Sequence, residues 1–305
     1  MYIQRSFKLA LVLSVLLQWV ARAGFHHDME VSLNTATAAF EVQDTVTLPE
    51  DYPASLTFSL HPALQVRLLD ENARLSETAA DSTGERASAE AAHDHSPRVY
   101  RVELAHGQRQ LNLQYKGTIA HALQNRGEDY ARSFQQTRGL ISPDGVFLSA
   151  TSDWYPRFND DLISFDLKLH LPENWKSMSQ GESVDTRGSG YDQHWRETTP
   201  QEEIYLIAGP FTAYASKEND VTAMVLLREA DAALAAKYLD YTHRYIALYS
   251  ELIGPYPFSK FAMVENFWET GYGMPSFTLL GSRVIRLPFI LTSSYPHEIL
   301  HNWWG

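Results

Sequence analysis

The 305-residue chain contains no cysteine. That excludes a disulfide framework, a thiolate metal site and a cysteine nucleophile, so any metal here would need nitrogen and oxygen ligands. Basic side chains are also in short supply: 25 Lys and Arg face 37 Asp and Glu, a formal charge of −12. Three of the basic residues, Arg5, Lys8 and Arg22, lie in the first 23 positions, which hold no acid. The remainder therefore carries 22 basic against 37 acidic side chains, a charge of −15. Such a surface repels phosphate backbones and excludes nucleic acid as an expected partner.

Long apolar runs are missing too. The longest, residues 9–20 in "MYIQRSFKLALVLSVLLQWVARAG", covers twelve positions, too few to span a bilayer comfortably. Arg5 and Lys8 precede it, and Ala21, Arg22 and Ala23 follow as a small-x-small cleavage pattern. Residues 1–23 read as a secretory signal, with a mature chain from Gly24 that is secreted or periplasmic and has no membrane span. A mature start of Gly-Phe-His would also allow square-planar copper chelation through His26.

What is present is the composition of a folded chain: 44% apolar and 20% charged residues, over a length that suits one large domain or two ordinary ones. From Gly24 to about Glu229 the apolar residues recur with period two. In "DLISFDLKLHLP", Ile163, Phe165, Leu167, Leu169 and Leu171 alternate with polar partners, which gives a strand one buried and one wet face. "SLTFSL", "VRLL", "IYLIAG" and "VTAMVLL" read as further strands. "RVYRVEL" and "LNLQYKG", on either side of Ala105, His106 and Gly107, read as a β-hairpin. Residues 76–98 are small and polar, a flexible surface insertion carrying His93 and His95. Trp154, Tyr155 and Pro156 form an aromatic cluster suited to packing at a domain interface. After Glu229 the period changes. Leu234, Tyr238, Tyr241, Tyr245, Leu248 and Leu252 follow at helical spacing until Gly254 and Pro255 stop the helix. "FAMVENF" then reads as a strand, Gly271 and Gly273 as a tight turn, and "PSFTLLG" as a second strand. The reading is an α+β chain, with a strand-rich domain over residues 24–228 and a helix-rich domain over 229–305.

The last segment reads "YPHEILHNWWG". On a helix, positions four apart lie one turn apart on the same face, so His297 and His301 can point at one cation. Imidazole nitrogens suit zinc, and Glu298, on the same edge, is placed to act as the base for a metal-activated water. Ser293 and Ser294 are candidate N-caps, Pro296 is tolerated in the first turn, and Ile299, Leu300, Trp303 and Trp304 are available to pack the helix. Two histidines leave the ligand set incomplete.

At this point the chain resembles the membrane alanyl aminopeptidase family of gluzincin metallopeptidases. "HEILHNWWG" matches its H-E-x-x-H-x-W pattern, while "GPYPFSKFAMVE", "GVFLSATSDWYP" and "IAGPF" are similar to other segments of it. The resemblance implies an antiparallel β-rich, saddle- or sandwich-like domain followed by the start of a thermolysin-like α/β catalytic domain. It implies one Zn2+ on His297 and His301, Glu298 as catalytic base and a peptide or protein as substrate. The family's third zinc ligand is a glutamate on the next helix. This chain ends four residues after His301, so that ligand is expected beyond residue 305, and the chain itself is expected to be weakly active or inactive.

One departure concerns substrate binding. The family's G-x-M-E-N signature supplies a glutamate for the substrate amine, whereas "GYGMPSFT" keeps Gly273 and Met274 and places Pro275 and Ser276 at the Glu and Asn positions. These four are the expected substrate-binding residues, but a neutral pair cannot hold an ammonium by charge. Glu265 and Glu269 are the nearby carboxylates available to stand in, or to complete a zinc site. Exopeptidase and endopeptidase action both stay open. The alternative is an inactive, aminopeptidase-like scaffold that binds peptides or proteins.

Overall fold

In the computed structural model, residues 24–78, 96–125, 135–159 and 161–304 are described. The signal segment, His93 and His95 lie outside them. No helix among the described residues is long and apolar enough to cross a membrane.

The strand-rich part is built from several sheets. The largest runs in the order β14 (Glu182–Ser183), β15 (Gln193–Gln201), β12 (Ile163–His170), β1 (Phe25–Asn34), β2 (Ala39–Thr47), β7 (Gln110–Thr118) and β4 (Gln65–Leu68). Its pairings are antiparallel except that of β1 with β12. A three-stranded sheet orders β3 (Ser55–Leu60), β6 (Arg98–Glu103) and β5 (Arg74–Thr78). A four-stranded one orders β10 (Leu140–Ser142), β11 (Gly145–Leu148), β16 (Leu206–Gly209) and β13 (Lys176–Met178). A short ribbon joins β8 (Gln124–Asn125) and β9 (Gln135–Gln136). The period-two residues of β12 behave as their spacing requires: Ile163, Phe165, Leu167 and Leu169 are buried, and the residues between them are half-buried.

Four expectations from the sequence need correction here. β6 and β7 are not a hairpin. β7 pairs along its whole length with β2, while β6 lies between β3 and β5 in another sheet. A turn in which Gly107 has φ +78° looks the same in sequence whether the chain folds back or changes sheet. The insertion is shorter than residues 76–98: Ser76 to Thr78 belong to β5 and pair with β6, and residues 79–95 lie outside the described residues. Copper chelation through the Gly24 end conflicts with β1, whose Phe25 and His26 are paired to β12, with His26 Nδ1 2.9 Å from Ser164 Oγ. The cluster of Trp154 and Tyr155 is interior packing within the β-half: the Trp154 indole donates to the Ile204 carbonyl (3.1 Å) and meets Phe40 and Tyr155 edge-on.

A five-stranded mixed sheet carries the C-terminal part. Its order is β17 (Thr212–Glu218), β18 (Val221–Leu227), β19 (Lys260–Asn266), β21 (Phe277–Gly281) and β20 (Gly271–Met274), with β18, β19 and β21 mutually parallel. The crossover from β18 to β19 is helix α1 (Ala232–Leu252). Residue 228, where the sequence period changes, therefore lies inside this unit. Every residue of β19 is buried, as a central strand covered on both faces must be. Ala262 and Val264 belong to the core shared with the β-rich part, and Phe261 and Met263 to the core under α1.

Asp231 begins α1 by accepting the Leu234 amide at 2.9 Å. Asp231→Ala should cost about 1 kcal/mol, seen as a fall in melting temperature of about 2 °C for a chain of this size. The predicted apolar stripe is only partly right. Tyr238 is buried, but Leu248 and Leu252 are exposed, and Ala235, Thr242 and Ile246 take their place in the interior.

Candidate active site

Helix α2 (Ser294–Leu300) carries the H-E-x-x-H residues, and His301 continues its last turn with helical φ and ψ. α1 holds this helix and the turns before it through hydroxyl side chains. Tyr295 Oη lies 2.6 Å from Thr242 Oγ1, with the Tyr238 and Tyr295 rings edge to face. Tyr238 donates to the Ile285 carbonyl and Tyr245 to the Leu291 carbonyl, each at 2.9 Å. Ile299 is buried, and Trp303 donates to the Gly254 carbonyl at 3.0 Å between the rings of Tyr249 and Tyr256. Trp304 does not pack as expected and is 59% exposed. Ser293 stands at the N-cap position, but its hydroxyl donates back to the Phe289 carbonyl instead of capping.

The two histidines converge. Their Nε2 atoms are 3.0 Å apart and the rings meet edge to face. Two nitrogens ligating one zinc tetrahedrally at about 2.0–2.1 Å stand about 3.3 Å apart, so a spread of a few tenths of an ångström lets both reach the same ion. The residues present therefore fit two corners of a zinc site. Among the described residues, no group of three His, Cys, Asp or Glu side chains could hold a metal. Glu265 does not complete the site. Its carboxylate accepts from Ser282 Oγ (2.6 Å), Arg286 (2.7 Å) and the Arg228 amide (2.8 Å). Glu269 accepts from the Arg283 amide at 3.1 Å.

Glu298 is half-buried. Burial raises its pKa, and the nearby His297 and His301 oppose that rise. Its carboxylate lies against β20, where a Cβ added to Gly273 would come within 2.8 Å of Oε2. Gly273 thus lets the strand approach Glu298 closely. Gly271 and Gly273, read from the sequence as a turn, are strand residues paired with Leu280 and Thr278. The turn comes after them, at Pro275 and Ser276, where Ser276 takes φ +67°. Alternating glycines before an apolar strand were the available signal for a backbone approached at close range.

The four expected substrate-binding residues separate. Gly273 faces Glu298, and Met274 is buried in the core shared with the β-rich part. Pro275 is half-buried in the turn, and Ser276 points inward. Its Oγ accepts from the buried Lys260 ammonium at 2.6 Å, and Lys260 also donates to the Ser179 carbonyl at 2.8 Å. Burial lowers the Lys260 pKa to about 7, against the opposing charge of Glu197. Lys260 and Asn302 are the residues that sequence reasoning missed. Nothing in their local spacing marks them, because their partners are distant in the chain.

No family model and no curated protein matches the sequence. The fold does match solved structures. An M1 zinc metallopeptidase from Deinococcus radiodurans superposes with TM-score 0.62 at 15% identity, over 92% of this chain and 65% of that one. Leukotriene A4 hydrolase from Saccharomyces cerevisiae superposes with TM-score 0.64 at 14% identity, over 93% of this chain and 44% of that one. The fold is that of M1 zinc metallopeptidases. The chain spans about two thirds or less of the length of these M1-fold proteins. The M1 fold agrees with the expected architecture, a β-rich N-terminal part ahead of a mixed sheet with helices.

Proposed function

We propose that this chain carries the general base and two zinc ligands of a metallopeptidase that hydrolyses peptide bonds. The carrying observation is the convergence of the His297 and His301 Nε2 atoms, with Glu298 between them in sequence and beside the edge strand β20 in space. Zinc, when bound, would polarise a carbonyl and acidify a water. Glu298 would take the proton from that water as it attacks. β20 is an edge strand, so a peptide can add to it by main-chain pairing while Gly273 offers no side chain to obstruct the dyad. The M1 fold supports this reading. A third ligand from outside the described residues would complete the metal shell. The leader-like first 23 residues support a secreted or periplasmic setting.

The test is metal titration of this chain. With only two ligands in place, the wild type should bind Zn2+ weakly at a single site, and His297→Ala and His301→Ala should each lose that binding. Uptake unaffected by either change would sink the assignment. A second reading, a non-catalytic scaffold that binds peptides along β20, draws support from the incomplete ligand set and the inward-turned Ser276. Peptide binding without zinc uptake would favour it.

A further inference from the structure

The helix that bears the histidines and the strand beside Glu298 come from separate parts of the sheet domain, and the side chain of Asn302 bonds the helix end to the turn that follows the strand. Asn302, immediately after His301, accepts the Ser276 backbone N–H through Oδ1 at 2.8 Å. Through Nδ2 it donates to the carbonyls of Ile299 (3.0 Å) and Glu298 (3.3 Å). The Tyr256 hydroxyl lies 3.2 Å from the same Oδ1 and steadies the amide. The donor arms cap the last turn of α2, the turn that carries His301. The acceptor arm fixes the turn that ends β20.

That turn is not relaxed by itself. Ser276 occupies the left-handed region at φ +67°, which a non-glycine residue adopts only when its surroundings impose it. The surroundings here are Lys260 on its Oγ and Asn302 on its N–H. Lys260 ties the turn to the β-rich part through the Ser179 carbonyl, and Asn302 alone of the two ties it to the helix. We propose that Asn302 is a positioning residue that sets the separation between the edge strand β20 and the His297–Glu298–His301 face. This rests on the metallopeptidase reading. Without the bracket, the final turn frays, the two Nε2 atoms lose their convergence and β20 drifts from Glu298.

The experiment uses the full chain and Zn2+ alone, with hydrogen exchange as a second readout. In Asn302→Ala, exchange at the Ser276 amide should quicken by about tenfold or more, and Zn2+ should bind about tenfold more weakly, the lower range for groups that orient metal ligands from outside the shell. The thermal transition should shift little. Asn302→Asp keeps the acceptor and loses both donors, so it should restore slow exchange at Ser276 while Zn2+ binding stays weak. Unchanged exchange at Ser276 in Asn302→Ala would overturn the bracket. Fast exchange with unchanged Zn2+ affinity would overturn its positioning role, as would weakened binding seen only alongside a collapsed thermal transition. A wild-type chain that takes up no Zn2+ would instead overturn the metal reading, and Ser276 exchange would then report on the bracket alone.

Discussion

With zinc bound and its ligand set complete, Glu298→Gln is expected to keep the metal and to lose peptide hydrolysis by a factor of about 10²–10⁴. The substitution keeps the side chain's length and removes only its capacity to accept a proton. The two imidazoles do not depend on the carboxylate for their convergence, because their rings meet directly and their helix is anchored through Tyr295 on Thr242 and Tyr238 and through Trp303 on the Gly254 carbonyl. Glu298 does depend on its surroundings. Burial raises its pKa, and the adjacent histidines oppose that rise. Zinc content by elemental analysis and turnover of an internally quenched peptide would separate the two effects. If the variant turns over peptide as fast as the wild type, Glu298 is not the base.

Lys260→Met should abolish a pH dependence of stability. The Lys260 ammonium is 3% exposed, and burial lowers its pKa from the ordinary 10.5 to about 7. Between those values the unfolded chain binds the proton more readily than the folded chain, so this residue makes stability rise with pH across the window. At about 1.4 kcal/mol per pH unit, the gain from pH 7 to pH 9 is about 2 kcal/mol. Above about pH 10 the trend reverses, because buried tyrosines such as Tyr115 and Tyr155, with raised pKa values, must stay neutral in the fold while the unfolded chain ionises. The variant leaves the Ser179 carbonyl and Ser276 Oγ without their donor, so it should be weaker than the wild type at pH 9 and closer to it at pH 7. Urea unfolding at the two pH values measures the difference. Parallel slopes for both proteins would show that Lys260 keeps its proton in the fold.

Some of the architecture was legible because its cause is local. β12 reads as a strand from its alternation, and the H-E-x-x-H spacing reads as a shared face because a helix turn is four residues long. Elsewhere the local cause is ambiguous. The α1 stripe has the right period, but which side of that stripe is covered depends on where α2 and the 3₁₀ turns after β21 pack, and that left Leu248 and Leu252 in solvent. Gly271 and Gly273 carry the composition of a turn, yet β21 pairs with them and Glu298 packs against Gly273, so they became a strand.

The sequence by itself determined the shared helical face of His297 and His301, the period-two strands and the acidic net charge, because each depends on residue identity or on spacings of two and four. Only the tertiary structure decided that β6 and β7 separate into different sheets, that Ser276 turns inward onto Lys260, and that Asn302 joins the histidine turn to β20. The physical reason is range: these depend on hydrogen bonds between residues far apart in the chain, each available to several partners until the sheets are stacked.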